Sequence, residues 1–176
     1  MDIYFVMDLT KTMRLSRDQL TAASFRIADA IGRLTSDFQL GFGSFSDKPT
    51  IPFSKEPKDL KNDGKPIPYA FKNHMKLTKD KNRFKNAISN TTLVSNIDSP
   101  ESGLDAVAQA VLCSSTIGWR NNARKIIFMI TDGELHFALD GHLGGIFKKF
   151  DDSSCKLKDN TYEKELEFDY PSLGQV

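Results

Sequence analysis

The sequence predicts an α/β protein in which a central, mainly parallel sheet is flanked by helices. Three observations carry this expectation. Apolar, β-prone runs alternate with segments of helical spacing, and such alternation packs as a parallel sheet covered by helices. Ile126-Ile127-Phe128-Met129-Ile130 has the continuous apolar pattern of a buried strand. Asp8 and Asp132 fall at the carboxyl ends of the first and last such runs, where sheets of this class place their ligands.

Residues 3–8 read as the first strand. Ser16-Arg17-Asp18-Gln19 fits a capping box and predicts a helix from about residue 16, with Leu20, Ile27, Ile31 and Leu34 facing the core. Residues 38–45 form a second strand, in which Gly41 and Gly43 mark close backbone approach or a bulge. Residues 47–80 hold Pro49, Pro52, Pro57, Pro66 and Pro68, many lysines and no evident period. They read as one long loop, either functional or simply solvated surface. A short helix is expected over 81–89. Ser99-Pro100-Glu101 supplies a serine cap, a proline at the first position and an acid in the first turn. It therefore predicts a helix to which Leu104, Val107, Ala108 and Val111 give an apolar face. Beyond Gly133 the chain is glycine-rich, and from Phe150 it is polar and irregular.

The 176 residues suit one domain with a real core. A net charge of +1 gives no bulk field for nucleic acid or anionic membrane. No apolar run approaches the about 18 residues of a membrane span. Met1 to Met7 is too short and too acidic for a signal peptide. No glycine-rich phosphate loop supports nucleotide binding. Cys113 and Cys155 are, by themselves, either free thiols or a bridge worth roughly 4 kcal/mol through loop closure. Asn90-Thr91-Thr92 is an N-glycosylation sequon, meaningful only outside the cytosol.

Asp8-Leu9-Thr10-Lys11-Thr12 places a carboxylate and two hydroxyls at alternate positions, hence on one side of an extended segment. Glu101 and Asp132 add two acids. Gathering the three carboxylates is repulsive unless a cation neutralises them, and oxygen donors of this kind suit Mg²⁺ or Ca²⁺. Taken singly, Asp8 is a helix cap and the threonines are turn residues; taken together they read as a metal site with a free face.

Several longer runs resemble one family. They are Asp8-Leu9-Thr10-Lys11-Thr12-Met13, the segment from Leu40 to Pro49, Asn73-His74-Met75, the segment from Asn96 to Ala106, and Ile117-Gly118-Trp119-Arg120. Thr131-Asp132, Leu139-Asp140-Gly141 and the segment from Asp169 to Gln175 continue the likeness. The chain resembles the von Willebrand A-like, metal-bearing domain of integrin β subunits over essentially its whole length. The resemblance implies a Rossmann-like fold of the von Willebrand A type with a long specificity loop. It implies one domain over 1–176, incomplete at its C-terminal end. It further implies a non-enzymatic adhesion module on the extracellular face of the plasma membrane, within a single-pass type I receptor. That module pairs with an α subunit and binds an exposed Asp of a matrix or cell-surface protein.

By the same resemblance, Thr10, Thr12 and Glu101 ligate a central Mg²⁺ (or Mn²⁺), with Asp8 and Asp132 acting through water. Asp47, Asn96, Asp98, the Pro100 carbonyl and Glu101 hold a Ca²⁺ that orients Glu101. Cys113 and Cys155 are implied to pair. Three departures stand out. Leu15 and Ser16 occupy the positions of the two acids of a third, regulatory cation site, so that site is expected to be lost; Asp18 lies nearby on the helix. Residues 55–75 lack the usual loop disulfide and are expected to be more mobile. His142 replaces the basic residue that inserts into the α subunit.

Two other readings share parts of the pattern. A phosphohydrolase of the haloacid-dehalogenase type would use Asp8 as nucleophile, but Thr10 stands where its acid/base carboxylate belongs. A cytosolic von Willebrand A-type scaffold would keep the metal site and hold both cysteines reduced.

Overall fold

The computed structural model describes residues 1–176. At its centre is β1 (Asp2–Asp8), buried along its whole length. It pairs in parallel with β2 (Gln39–Phe45) on one side and β4 (Lys125–Ile130) on the other. The sheet continues antiparallel through β3 (Lys72–Thr78) to the two-residue strands β6 (Thr161–Tyr162) and β5 (Leu157–Lys158), in the order β4-β1-β2-β3-β6-β5.

Side chains of β1 alternate between two cores, which is why its sequence is apolar without interruption. Ile3, Phe5 and Met7 pack with Leu20 and Ala28 of α1 (Arg14–Leu34) and Phe84 and Ile88 of α3 (Lys81–Ser89). Tyr4 and Val6 pack on the other face with Ala106 and Ala110 of α4 (Gly103–Leu112), Ile117 of α5 (Ser114–Ile117) and Trp119. The Tyr4 ring explains the glycines of β2: a Cβ on Gly41 would come within 2.5 Å of it.

The Gly118-Trp119-Arg120 run has a structural role at the far end of the sheet. Gly118 takes a left-handed conformation, φ 87°, that ends α5. The Trp119 indole donates to the Ala110 carbonyl at 2.8 Å, and Arg120 Nε donates to the buried Asp2 carboxylate at 2.8 Å. Cys113 and Cys155 form a disulfide, which ties α4 to the segment leading into β5.

Several expectations are corrected. Helix α1 begins at Arg14, directly after a 3-10 turn over Lys11–Met13, so Ser16 lies inside the helix and forms no capping box. Leu34 is exposed, lining an open apolar groove with Ile3 and Phe5 of β1 and Ile126 of β4 instead of entering the core. Residues 47–80 are not one structureless loop. They contain α2 (Pro57–Asn62) and β3, and buried Phe53 and Leu60 anchor the segment. In β3, Asn73, Met75 and Leu77 turn inward between outward lysines, which hid the strand pattern. Strand β4 is an edge strand with Phe128 and Met129 exposed, not a strand buried on both faces. Helix α4 starts at Gly103, two residues past Glu101, because the Glu101 backbone is held extended by pairing with residues 134–136. Val111 of α4 is exposed while Leu104 and Ala108 are buried. The segment after Phe150 is not wholly irregular, since it forms the β5–β6 hairpin.

A buried cation joins this hairpin region to the rest. Lys48 is fully buried, 3.4 Å from Asp105 Oδ1, and donates to the Glu165 carbonyl at 2.7 Å. Its ammonium also lies 4.7 Å from the centre of the Tyr170 ring. Beside it, desolvation pushes the Glu165 carboxyl from 4.5 up to about 8, even though the Ala70 N–H donates to it. The folded chain therefore holds this proton more tightly than the unfolded chain. The resulting stability is full below pH 4.5 and is lost as pH rises through about 8. Glu165→Gln should accordingly flatten the fall in melting temperature across that window. A wild-type-minus-variant difference that stays constant with pH would contradict it.

Candidate metal centre

Parallel pairing places the ends of β1 and β4 level, with Met7 opposite Ile130. The segments leaving both strands therefore start side by side. A third segment is brought to them by short pairings: Glu101 N–H donates to the Glu134 carbonyl, and the Glu101 carbonyl accepts from His136 N–H, each at 3.0 Å. Thr10 is held by a bridge to Val94, which positions the 94–101 loop above the strand ends.

These contacts bring Asp8, Thr10, Thr12, Glu101 and Asp132 together. Asp8 is fully buried, and both its oxygens are engaged: Oδ1 by the Thr10 N–H at 2.7 Å, Oδ2 by the Thr131 hydroxyl at 3.1 Å. The Thr10 and Thr12 hydroxyls lie 3.1 Å apart, and Thr12 Oγ1 donates to Asp132 Oδ1 at 3.2 Å. Glu101 Oε1 accepts from the Asn96 amide at 2.6 Å, while Oε2 is buried with no partner. Desolvation, followed by the nearby Asp8 and Asp47 carboxylates, pushes the Glu101 carboxyl up to about 9. The cleft above these groups measures about 650 Å³ and has no apolar residue in its wall.

An oxygen-rich cleft with an orphaned carboxylate oxygen fits a hard divalent cation, with Lys11 and Asn96 the nitrogen-bearing side chains in its wall. Glu101, Thr10 and Thr12 present accessible or unsatisfied oxygens to it. Asp8, with both oxygens already occupied, suits a role through an intermediary.

The residues expected at a second cation lie behind Glu101. Asp47 is fully buried; Oδ1 accepts from the Lys48 N–H, the Ser102 hydroxyl and the Tyr170 hydroxyl at 2.7, 2.9 and 2.7 Å, and Oδ2 has no hydrogen-bond partner. Asn96 turns its amide nitrogen to Glu101 and to the Asp98 carbonyl. Pro100 is half-buried in the turn between Asp98 and Glu101.

His136 sits in this second cluster and was missed in the sequence. Its Nε2 lies 3.1 Å from Asp98 Oδ2 and 3.4 Å from Asp47 Oδ2, and its Nδ1 lies 3.1 Å from Asp140 Oδ2. Burial disfavours its charged form, but the neighbouring carboxylates of Asp47, Asp98 and Asp140 outweigh burial and push the imidazole up to about 10. The only sequence signal was the spacing of His136 and Asp140 in a stretch dominated by glycines. Lys48 also went unremarked, because one lysine among many does not announce its burial.

The remaining candidates lie apart. Leu15 is exposed on α1 with Ser16 beside it, and Asp18 is paired with Arg17 at 2.9 Å. His142 projects from a turn that Asp169 clamps by accepting from the Leu139 and Gly141 N–H groups at 2.6 and 2.9 Å. Around it Leu139, Leu143 and Phe147 are exposed. Asn90 is exposed at the end of α3.

Residues 1–176 match the family model for the integrin beta chain VWA domain. The chain belongs to the integrin β family. It is 38% identical over 179 residues to integrin beta-PS of Drosophila melanogaster, covering 99% of this chain and 21% of that protein. It is 37% identical over 183 residues to human integrin beta-6, covering 99% of this chain and 23% of the relative. Integrin beta pat-3 of Caenorhabditis elegans is 39% identical over 178 residues, covering 98% and 22%. The chain thus spans between 21% and 23% of the length of these integrin β relatives. The fold is the von Willebrand A type expected of the family.

A ligand that binds only the folded chain stabilises it by about 2.7 kcal/mol at a hundred times its Kd. Mg²⁺ at that excess should raise the melting temperature of the wild type accordingly and leave Glu101→Gln almost unmoved. An equal rise in both proteins would place the ion elsewhere.

Proposed function

We propose that this domain is a non-enzymatic adhesion module that binds an acidic, Asp-containing residue of an extracellular protein through a divalent cation, as the β half of an αβ integrin heterodimer. The observation that carries this reading is the buried, unpartnered Glu101 Oε2 in the wall of an oxygen-rich cleft that the paired Thr10 and Thr12 hydroxyls also line. Thr10, Thr12 and Glu101 would hold Mg²⁺ or Mn²⁺ directly, with Asp8 and Asp132 steadying that shell through water. When bound, such an ion offers an open position to a ligand carboxylate. Asp47, Asn96, Asp98, the Pro100 carbonyl and Glu101 would share a Ca²⁺ that fixes the Glu101 side chain, an outer-shell effect.

The chain's own residues prepare this site. Thr131 and the Thr10 backbone pin Asp8, so that it does not swing into the cleft. Thr10 and Thr12 supply hydroxyl donors, and their methyl groups narrow the space beside them. A phosphohydrolase reading lacks support: Asp8 has no free oxygen to attack with, and Thr10 offers no proton-transferring carboxyl.

Leu139, Leu143 and Phe147 around His142 form an apolar face suited to an α-subunit partner, with the imidazole at its centre. The disulfide and the exposed Asn90 sequon agree with the extracellular face of the plasma membrane. On this reading the domain lies outside a single membrane span of the whole receptor.

Capture of Asp-containing peptides from a panel should require Mg²⁺ or Mn²⁺, vanish in chelator, and fall at least about a hundredfold in Glu101→Ala, in line with about 2.7 kcal/mol for one lost charge-assisted contact. Capture that survives chelation, or an unaffected variant, would refute the proposal. A second expectation concerns regulation. With Leu15 and Ser16 where a third site would need acids, Ca²⁺ added at constant Mg²⁺ should produce no strong inhibition of capture. A steep inhibitory response to Ca²⁺ would show that Asp18 or another group restores that site.

A further inference from the structure

We infer that Asp47, Asp98 and His136 form an alternative cation site that takes a borderline transition metal, Zn²⁺, in exclusion of the Ca²⁺ assigned to Asp47, Asp98 and Glu101. This deepens the reading above, because it gives the second cation site two competing occupants with different donor sets. One set is all oxygen and includes Glu101. The other replaces Glu101 by an imidazole nitrogen.

The geometry is that of a prepared metal site. One ligand atom from each of Asp47, Asp98 and His136 lies within 4.8 Å of the others. His136 Nε2 stands 3.1 Å from Asp98 Oδ2 and 3.4 Å from Asp47 Oδ2. A tetrahedral ion with bonds of about 2.1 Å separates its donors by about 3.4 Å. Asp47 is fully buried, its Oδ1 is fixed by three donors, and its remaining Oδ2 points at His136 with no hydrogen-bond partner.

His136 is oriented as metal-bound histidines are. Nδ1 faces Asp140 Oδ2 at 3.1 Å, which leaves Nε2 directed at the two acids, the arrangement of a carboxylate–histidine–metal triad. The ring is held by stacking on Tyr170, with centroids 4.4 Å apart, and by the edge of Phe53 at 4.9 Å. Asp98 also lines the open cleft, so an ion has an entry path. Imidazole favours Zn²⁺ over the hard Ca²⁺. Zn²⁺ binding replaces the Nε2 proton, which passes to solvent. By drawing Asp47 and Asp98 to His136, it takes from Glu101 the ion that orients it.

Calorimetric titration of the 176-residue chain with Zn²⁺ tests this without any peptide ligand, so a failure of Asp-peptide capture leaves the result interpretable. One Zn²⁺ should bind, and added Ca²⁺ should shift the isotherm to higher Zn²⁺. Asp140→Asn should weaken Zn²⁺ at least about tenfold, and His136→Gln should weaken it further. Glu101→Gln should weaken Ca²⁺ and spare Zn²⁺. In the wild type, Zn²⁺ should shift the imidazole ¹⁵N signal of His136 Nε2, a reading that needs no variant to fold. An isotherm unchanged in His136→Gln, an unmoved Nε2 signal, or Zn²⁺ and Ca²⁺ that bind without competing would overturn the inference.

Discussion

The repulsion among Asp8, Asp47, Asp98 and Glu101 is the constraint around which this domain is arranged. Carboxylates in water are cheap to place near one another; buried ones are not. Here two of the four are fully buried, and a third, Glu101, keeps one oxygen with no partner. The protein meets the cost in two ways. His136 is buried against Asp47 and Asp98 at the back of the cluster, and Lys48 is buried against the neighbouring Asp105. At the front, the acids and hydroxyls open onto a cleft where a divalent ion can supply the missing charge.

The fold makes this possible through backbone geometry more than through side-chain packing. Parallel strands end together, so the segments leaving β1 and β4 begin at one level. Glu101 reaches them because its backbone pairs with residues 134–136, and that same pairing carries His136 to the rear of the cluster. Asp8 and Thr131 then lock the two strand ends to each other. A strand-end site assembled this way can be stiff in its supports and open at its cleft face, as the proposed capture of a partner's carboxylate requires.

Much of this was legible in the sequence, for identifiable reasons. Asp8, Thr10 and Thr12 declare themselves by alternate spacing after an apolar strand, and Asp132 by ending another. The helix over 81–89 follows from local pattern; the structure adds its cap, Asp80, whose carboxylate accepts from the Asn82 and Arg83 N–H groups. What failed was whatever depended on distant partners. The helix start at Ser99-Pro100-Glu101 has every local signal, yet pairing of Glu101 with a segment some thirty residues on moves the start to Gly103. Strand β3 was hidden by lysines that face solvent, and β4 reads as buried while lying at an edge. His136 and Lys48 carry no mark in one dimension, since their roles arise only when Asp47, Asp98 and Asp105 surround them.

The most direct measurement is a crystal structure grown in Mn²⁺, with the ion located by its anomalous scattering. A peak enclosed by Thr10 Oγ1, Thr12 Oγ1 and a Glu101 carboxylate oxygen, open on the cleft side, is the predicted result. Density that places the ion elsewhere, with those three side chains turned away from a common centre, would contradict it.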